Sequence, residues 1–223
     1  MNVLVLCDDR WHPAATPRAG LAALGDCGFD FDWIENANDW SAQKMAKYQL
    51  VVLTKSNNVS AKDETRWMTP NVEAAFHDYV AKGNGLLAIH SGTADYREAL
   101  VLRALLGGVF LSHPPQCLVT IAPTAGHALG SGSNTFTIKD EHYFMALDDA
   151  GADVFLTSSS EHGRQPAGWT RREGKGRVCV LTPGHNLEVW LQPEYQQLIL
   201  NGLRWCEGCV PDSRRENQVR ERE

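Results

Sequence analysis

Four of the eight histidines, His12, His90, His113 and His185, stand just behind short apolar runs. Imidazole exchanges protons near neutral pH and is a common nitrogen ligand for metals. In doubly wound sheets, ligands gather outside the carboxyl ends of the strands. Strand ends that converge would therefore bring these imidazoles to one place. They could share a Zn²⁺ or another divalent ion only if they lie within roughly 10 Å of one another, because metal–nitrogen bonds are about 2.1 Å long. Other polar side chains follow the same runs: Asp8, Asp9, Arg10 and Trp11 before His12, and Thr54, Lys55 and Ser56 after LVVL.

His90 comes with a reactive neighbour, Ser91, in GNGLLAIHSGTADY. A strand, a sharp turn and a following helix would present one residue over the sheet edge. The serine-hydrolase elbow is GxSxG, but Ser91 is framed by Ile89 and Thr93. His90 is framed by Ala88 and Gly92, the small flanks a tight elbow requires. The elbow residue is therefore His90, which favours acid–base or metal chemistry over acyl transfer. A second cluster, KDEHYF, holds Asp140, Glu141, His142 and Tyr143. In an extended segment, Asp140 and His142 face one way and Glu141 and Tyr143 the other. A carboxylate here could orient a histidine, ligate a metal or act as a base. Trp11, Trp169 and Trp190 offer aromatic faces on which a ligand could stack. His77 falls in a helical pattern, His127 and His162 in Gly/Ser-rich loops, and Arg171 and Arg172 beside a turn, all better suited to structure or solvated charge.

These residues need elements to hold them. The 223 residues, 43% hydrophobic, suffice for one α/β domain with a sizeable core, assigned to 1–209. Apolar runs alternate with amphipathic ones, the pattern of a mostly parallel sheet covered by helices. Strands are expected at Val3–Cys7, Phe29–Ile34, Leu50–Thr54, Leu86–Ile89, Gly108–His113, Gln116–Ile121 and Asp153–Ser160. Helices are expected near 18–24, from Asn38 or Asp39 to Lys47, from Pro70 to about 81, over 95–106, and from Pro193 to Cys206. AGWTRREGKGRVCVL reads as a hairpin turned on Gly174-Lys-Gly176, and 123–139 as a loop. Residues 210–223 carry four basic and four acidic side chains and read as a disordered tail.

Composition excludes several classes. A net charge of −6 gives no general attraction to nucleic acid or to anionic membranes. No apolar run approaches the roughly 20 residues of a membrane span, and no signal peptide is read at the start, so a cytoplasmic location is expected. The six scattered cysteines then read as reduced thiols, and the lone Cys206–Cys209 pair lacks the second pair a zinc site needs. No complete GxGxxG or Walker motif is present, so no nucleotide is expected.

Taken in order, DRWHP, GLLAIHSGTADY, SHPP, DEHYF, PAGWTRREGKGRV and TPGHNLEVWLQPEYQQLILNGLRW resemble the ThuA-like, trehalose-utilisation family from about residue 2 to 208. The resemblance implies a flavodoxin-like, class I glutamine amidotransferase-like three-layer sandwich with an added hairpin. His90 then stands where the amidotransferases place a cysteine nucleophile, so glutaminase chemistry is not expected. The family's DE-x-Y pattern falls on Asp140, Glu141 and Tyr143, and its GH on Gly184 and His185. It also implies carbohydrate catabolism on a disaccharide or keto-sugar derivative, alongside a sugar-oxidising dehydrogenase. The chemistry expected is elimination and hydration, or isomerisation. A homodimer is the expected assembly, and a non-catalytic sugar-binding domain is the alternative function. The candidate catalytic residues are His90, Asp140, Glu141 and Tyr143. Arg10, Trp11, His12, Ser91, His113 and His185 are candidates for substrate contact, and His12, His90, His113 and His185 for a metal.

Overall fold

Strands whose two faces are both covered should be apolar without interruption, and LVVL at 50–53 is buried at every position. A computed structural model describes residues 1–149 and 151–209. Its first half contains β1 (Asn2–Leu6), α1 (Ala15–Ala22), β2 (Asp30–Ile34), α2 (Ala42–Met45), β3 (Leu50–Leu53), α3 (Pro70–Ala81), β4 (Gly85–Ile89) and α4 (Leu100–Leu106). There follow β5 (Gly108–Ser112), β6 (Cys117–Pro123), β7 (Phe136–Asp140), β8 (Phe144–Leu147), β9 (Asp153–Ser160), β10 (Gly163–Glu173) and β11 (Gly176–Leu181). Two helices, α5 (Leu187–Leu191) and α6 (Pro193–Glu207), close the fold.

The main sheet has nine strands in the order β2-β1-β3-β4-β11-β10-β9-β6-β7. From β2 to β11 every pairing is parallel, in the 2-1-3-4-5 manner of flavodoxin-like sheets. From β11 to β7 every pairing is antiparallel, so the added hairpin is one part of a larger antiparallel wing. β5 and β8 form a separate antiparallel pair. Strand alternation divides the core into two layers. Val3, Val5, Leu87 and Ile89 pack under α1, α5 and α6 through Leu21, Trp190, Leu198 and Leu203. Leu4, Leu6, Leu86 and Ala88 pack under the other helices through Met45, Phe76, Tyr79 and Leu102. The three-layer α/β sandwich is thus the architecture observed.

Several boundaries depart from expectation for local reasons. The helix expected from Asn38 or Asp39 to Lys47 is a 3₁₀ turn at Ala37–Asp39, capped by Asn36, followed by the short α2, capped by the Ser41 hydroxyl. The helix expected over 95–106 begins only at Leu100, since His90–Thr93 is a 3₁₀ turn and Asp95 has φ +61°. The loop expected over 123–139 contains most of β7. All six cysteines are free thiols, with Cys206 buried and Cys209 exposed. The tail expected at 210–223 lies outside the described residues. No helix among the described residues is long and apolar enough to cross a membrane.

The elbow after β4 depends on Gly92, where an added Cβ would lie 2.0 Å from the Leu53 carbonyl oxygen. Backbone on backbone cannot yield cheaply. Gly92→Ala is expected to cost about 3 kcal/mol, lowering Tm by roughly 6–12 °C. Calorimetry showing an unchanged melting temperature would contradict so close an approach.

Candidate functional site

The end of β4 delivers His90 through a strained turn. Ile89 is extended and His90 has φ +49°, a left-handed conformation that costs a non-glycine residue about 1–3 kcal/mol. The Thr93 hydroxyl donates to the His90 carbonyl at 2.8 Å and closes the turn. The His90 ring is 1% exposed. Its Nδ1 lies 2.8 Å from the Thr182 carbonyl oxygen. A carbonyl can only accept, so Nδ1 carries a proton, and in the neutral ring the lone pair is on Nε2. Tyr143 stacks on the ring with centroids 4.0 Å apart.

His12 is oriented in the same way from the end of β1. The Asp9 carboxylate is buried. It accepts from the backbone N–H groups of Trp11, His12 and Ser56, and from His12 Nδ1 at 2.7 Å. Burial would raise the Asp9 pKa, but the hydrogen bonds and charge of His12 and the amides of Ser56 and Trp11 outweigh it and hold the pKa at about 2. Lys55, itself wholly buried, donates to the carbonyls of Asp8, Glu35 and Val59 and ties this loop to the ends of neighbouring strands. Burial lowers the pKa of His12, opposed by Asp9.

His185 follows β11 across Gly184, whose φ of +137° favours glycine. The N–H groups of Gly184 and His185 donate to the two oxygens of Asp140 at 2.8 and 3.0 Å, and the Trp190 indole donates to the Gly184 carbonyl. Asp140 therefore holds the 184–185 backbone in place and is not one of the clustered ligand groups. Burial pushes its carboxyl pKa up, opposed by His90 and these amides.

Glu141, on the opposite side of the chain from Asp140, reaches into the middle. Its Oε2 lies 3.5 Å from His90 Nε2 and 3.2 Å from His185 Nδ1, and its Oε1 lies 3.5 Å from His113 Nε2. Burial opposes ionisation of Glu141, yet the facing imidazoles of His185 and His90 hold its carboxyl well below the usual carboxylate range. The Glu141 contact in turn raises the pKa of His185. The ring centroids of His12, His90 and His185 are 4.9 to 5.7 Å apart. One potential ligand atom from each of His12, His90, Glu141 and His185 lies within 4.8 Å of all the others. Three of these atoms, His12 Nε2, His90 Nε2 and His185 Nδ1, are buried and make no hydrogen bond. The donor set of three imidazoles and a carboxylate suits Zn²⁺ or a similar divalent ion. Above it opens a cavity of about 370 Å³, walled by Trp11, Phe110, His113, Tyr143 and Asp95.

The ThuA model, described as trehalose utilisation, matches residues 2–206. The chain belongs to the ThuA family. A ThuA-like protein of Parabacteroides merdae has the same fold, with a TM-score of 0.72 at 16% identity over 93% of this chain and 90% of that one. A cytoplasmic protein of Salmonella typhimurium superposes with a TM-score of 0.68 at 16% identity, covering 92% of this chain and 99% of its own. A β-galactosidase from Rahnella sp. R3 matches 94% of this chain with 31% of its own, at 18% identity and a TM-score of 0.65. At these identities the likeness is one of fold. Among curated proteins none matches the chain.

Against this ThuA fold, the expected site residues sort clearly. His12, His90, Glu141, Tyr143 and His185 converge. His113 does not join the buried donor set, because it rides beyond β5 of the separate two-stranded sheet and faces the other oxygen of Glu141. Its Nδ1 bonds to the Pro114 carbonyl at 2.8 Å, which leaves Nε2 toward the cavity wall. Ser91 is fully buried and outside the cavity lining, out of reach of substrate or of an attacked carbonyl. Arg10 lies at the surface, paired with Glu64 and placed over Trp11. Trp169 and Trp190 are buried and donate to the Leu106 and Gly184 carbonyls, so they cannot stack on a ligand; Trp11, 63% exposed, can. Asp9, Lys55, Phe110 and Asp95 belong to the site although sequence reasoning gave them no role. The only signal for the first two was a polar residue directly behind a buried strand.

The bonding scheme makes a spectroscopic prediction. In the apoprotein, long-range ¹H–¹⁵N correlation spectra should show a proton on Nδ1 of both His12 and His90. Nε2–H tautomers would contradict the assigned bonds to Asp9 and Thr182.

Proposed function

We propose that the chain is a carbohydrate-catabolism enzyme that cleaves or isomerises a keto-sugar derivative at a divalent-metal centre. The observation that carries the reading is the set of three buried, unbonded imidazole nitrogens around Glu141 beneath an open cavity. Burying a polar atom without a partner costs about 1–3 kcal/mol. Among the described residues, His12 Nε2 has no partner, His90 Nε2 and His185 Nδ1 meet only the Glu141 carboxylate, and a metal would bond all three at once. His12, His90, Glu141 and His185 would hold it, with Asp9 and the Thr182 carbonyl fixing two of the rings as metal proteins commonly do. Bound there, the ion would offset negative charge developing on a substrate carbonyl oxygen.

The other residues supply proton transfer and ring binding. A ketone acidifies the C–H on the neighbouring carbon. His113, with 35% of its side chain exposed on the cavity wall, takes that proton. The electron pair moves into the new carbon–carbon double bond as the glycosidic oxygen leaves and is protonated. Water then adds across the double bond to give the free sugar. His90 cannot serve as this base, since its ring is buried, bonded at Nδ1 and covered by Tyr143. Trp11 offers an exposed face on which a pyranose can stack. The reading draws its substrate class from the description of the ThuA family as trehalose utilisation. Association with a sugar-oxidising dehydrogenase fits the need for a ketone, and a homodimer remains the proposed assembly.

The test is turnover of 3-keto disaccharides against their unoxidised parents, with metal content read by plasma mass spectrometry. About one divalent ion per chain and turnover of the keto forms alone are expected. His185→Ala should lose the metal together with activity. His113→Ala should retain the metal while kcat falls about 10²–10⁴-fold. A metal-free protein fully active on keto-sugars would sink the metal reading. A metal-loaded protein that binds these sugars without turnover would make it a sugar-binding domain.

A further inference from the structure

The cavity over Glu141 has a neighbour across part of its wall. Asp95 and Phe110 also line a second compartment of about 260 Å³, completed by Arg66, Arg97, Glu98 and Leu111. We infer that this second compartment is a subsite for the second ring of a two-ring glycoside, which places the scissile bond near Asp95 and Phe110. The inference rests on the carbohydrate reading above and deepens it.

Three features of the compartment point to a neutral polyhydroxylated ring. First, its charged groups are of both signs, Asp95 and Glu98 together with Arg66 and Arg97. An anion site would carry cations alone, whereas hydroxyl groups need acceptors and donors together. Second, Phe110 and Leu111 add an apolar surface beside those groups, as a pyranose ring requires. Third, the polar groups are held ready. The Arg97 guanidinium donates to the carbonyls of Phe110 and Leu111, and so is fixed with further N–H groups to spare.

Asp95, with Phe110, borders both spaces. It is one of three non-glycine residues with positive φ among the described residues; the other two are Asp8, next to Asp9, and His90 of the donor cluster. Such a conformation costs about 1–3 kcal/mol and persists where the surroundings fix it. Here the Asn57 side chain donates to the Asp95 carbonyl and the neighbouring Tyr96 is fully buried. The Asp95 carboxylate itself makes no hydrogen bond or ion pair among the described residues. It is held at the junction with its accepting capacity unspent.

The experiment measures binding to the metal-loaded full chain by saturation-transfer NMR and calorimetry. The probes are α,α-trehalose, maltose and cellobiose, each against the matching methyl glucoside. These sugars are unoxidised, so the result does not depend on turnover. Failure of every keto-sugar to react would instead count against the proposed reaction. At least one disaccharide should bind about tenfold more tightly than its methyl glucoside, the value of about one hydrogen bond to a charged group. Asp95→Asn and Arg66→Ala, both at exposed positions, should each reduce that preference to about twofold or less. The subsite is overturned if no disaccharide outbinds its methyl glucoside, or if both variants keep the full preference.

Discussion

Three imidazole nitrogens lie buried around a carboxylate with no hydrogen-bond partner, and much of the structure serves to keep them there. Left to themselves, such groups would turn toward water or toward the nearest carbonyl. They are prevented by bonds made on the far side of each ring or backbone. Asp9 accepts a hydrogen bond from His12 Nδ1, the Thr182 carbonyl accepts one from His90 Nδ1, and Asp140 clamps the amides of Gly184 and His185. Each is supplied by a different strand end or loop, so the cluster exists only when both the parallel strands and the antiparallel wing that carries Asp140 are in place.

The fold accepts local costs to achieve this. His90 is held in a left-handed conformation, Gly92 presses against the Leu53 carbonyl, and Lys55 is buried with its ammonium bonded to three backbone carbonyls. Burial lowers the Lys55 pKa, partly offset by the charges of Asp9 and Asp8. None of these arrangements is what local propensity alone would choose, and each sits just behind the cavity wall, with His90 stacked on Tyr143, Lys55 preceding Ser56 and Gly92 two residues before Ala94. Backbone strain concentrated beside one site is the pattern expected of functional residues held by an over-determined scaffold.

Much of this was legible in the sequence. Uninterrupted apolar runs marked β1, β3, β4 and β11 because strands covered on both faces have no polar side to show. The small flanks of His90 identified the elbow, and two-residue alternation separated Asp140 from Glu141 and Tyr143. What was illegible depended on distance along the chain. The bonds of Lys55 to Asp8 and of Ser56 to Asp9 each span 47 residues. The exclusion of His113 from the donor set arises because β5 pairs with β8 and not with the main sheet, which no local pattern announces. The positive φ of Asp95 delays α4 in a stretch whose apolar spacing suits a longer helix.

The central claim is that the imidazole cluster is a metal centre, and crystals grown with Zn²⁺ or Mn²⁺ test it most directly through anomalous scattering. The account predicts one strong peak with His12 Nε2, His90 Nε2, His185 Nδ1 and a Glu141 oxygen each about 2.0–2.3 Å away. Anomalous density confined to surface sites, with ordered water or nothing between the three rings, would contradict it.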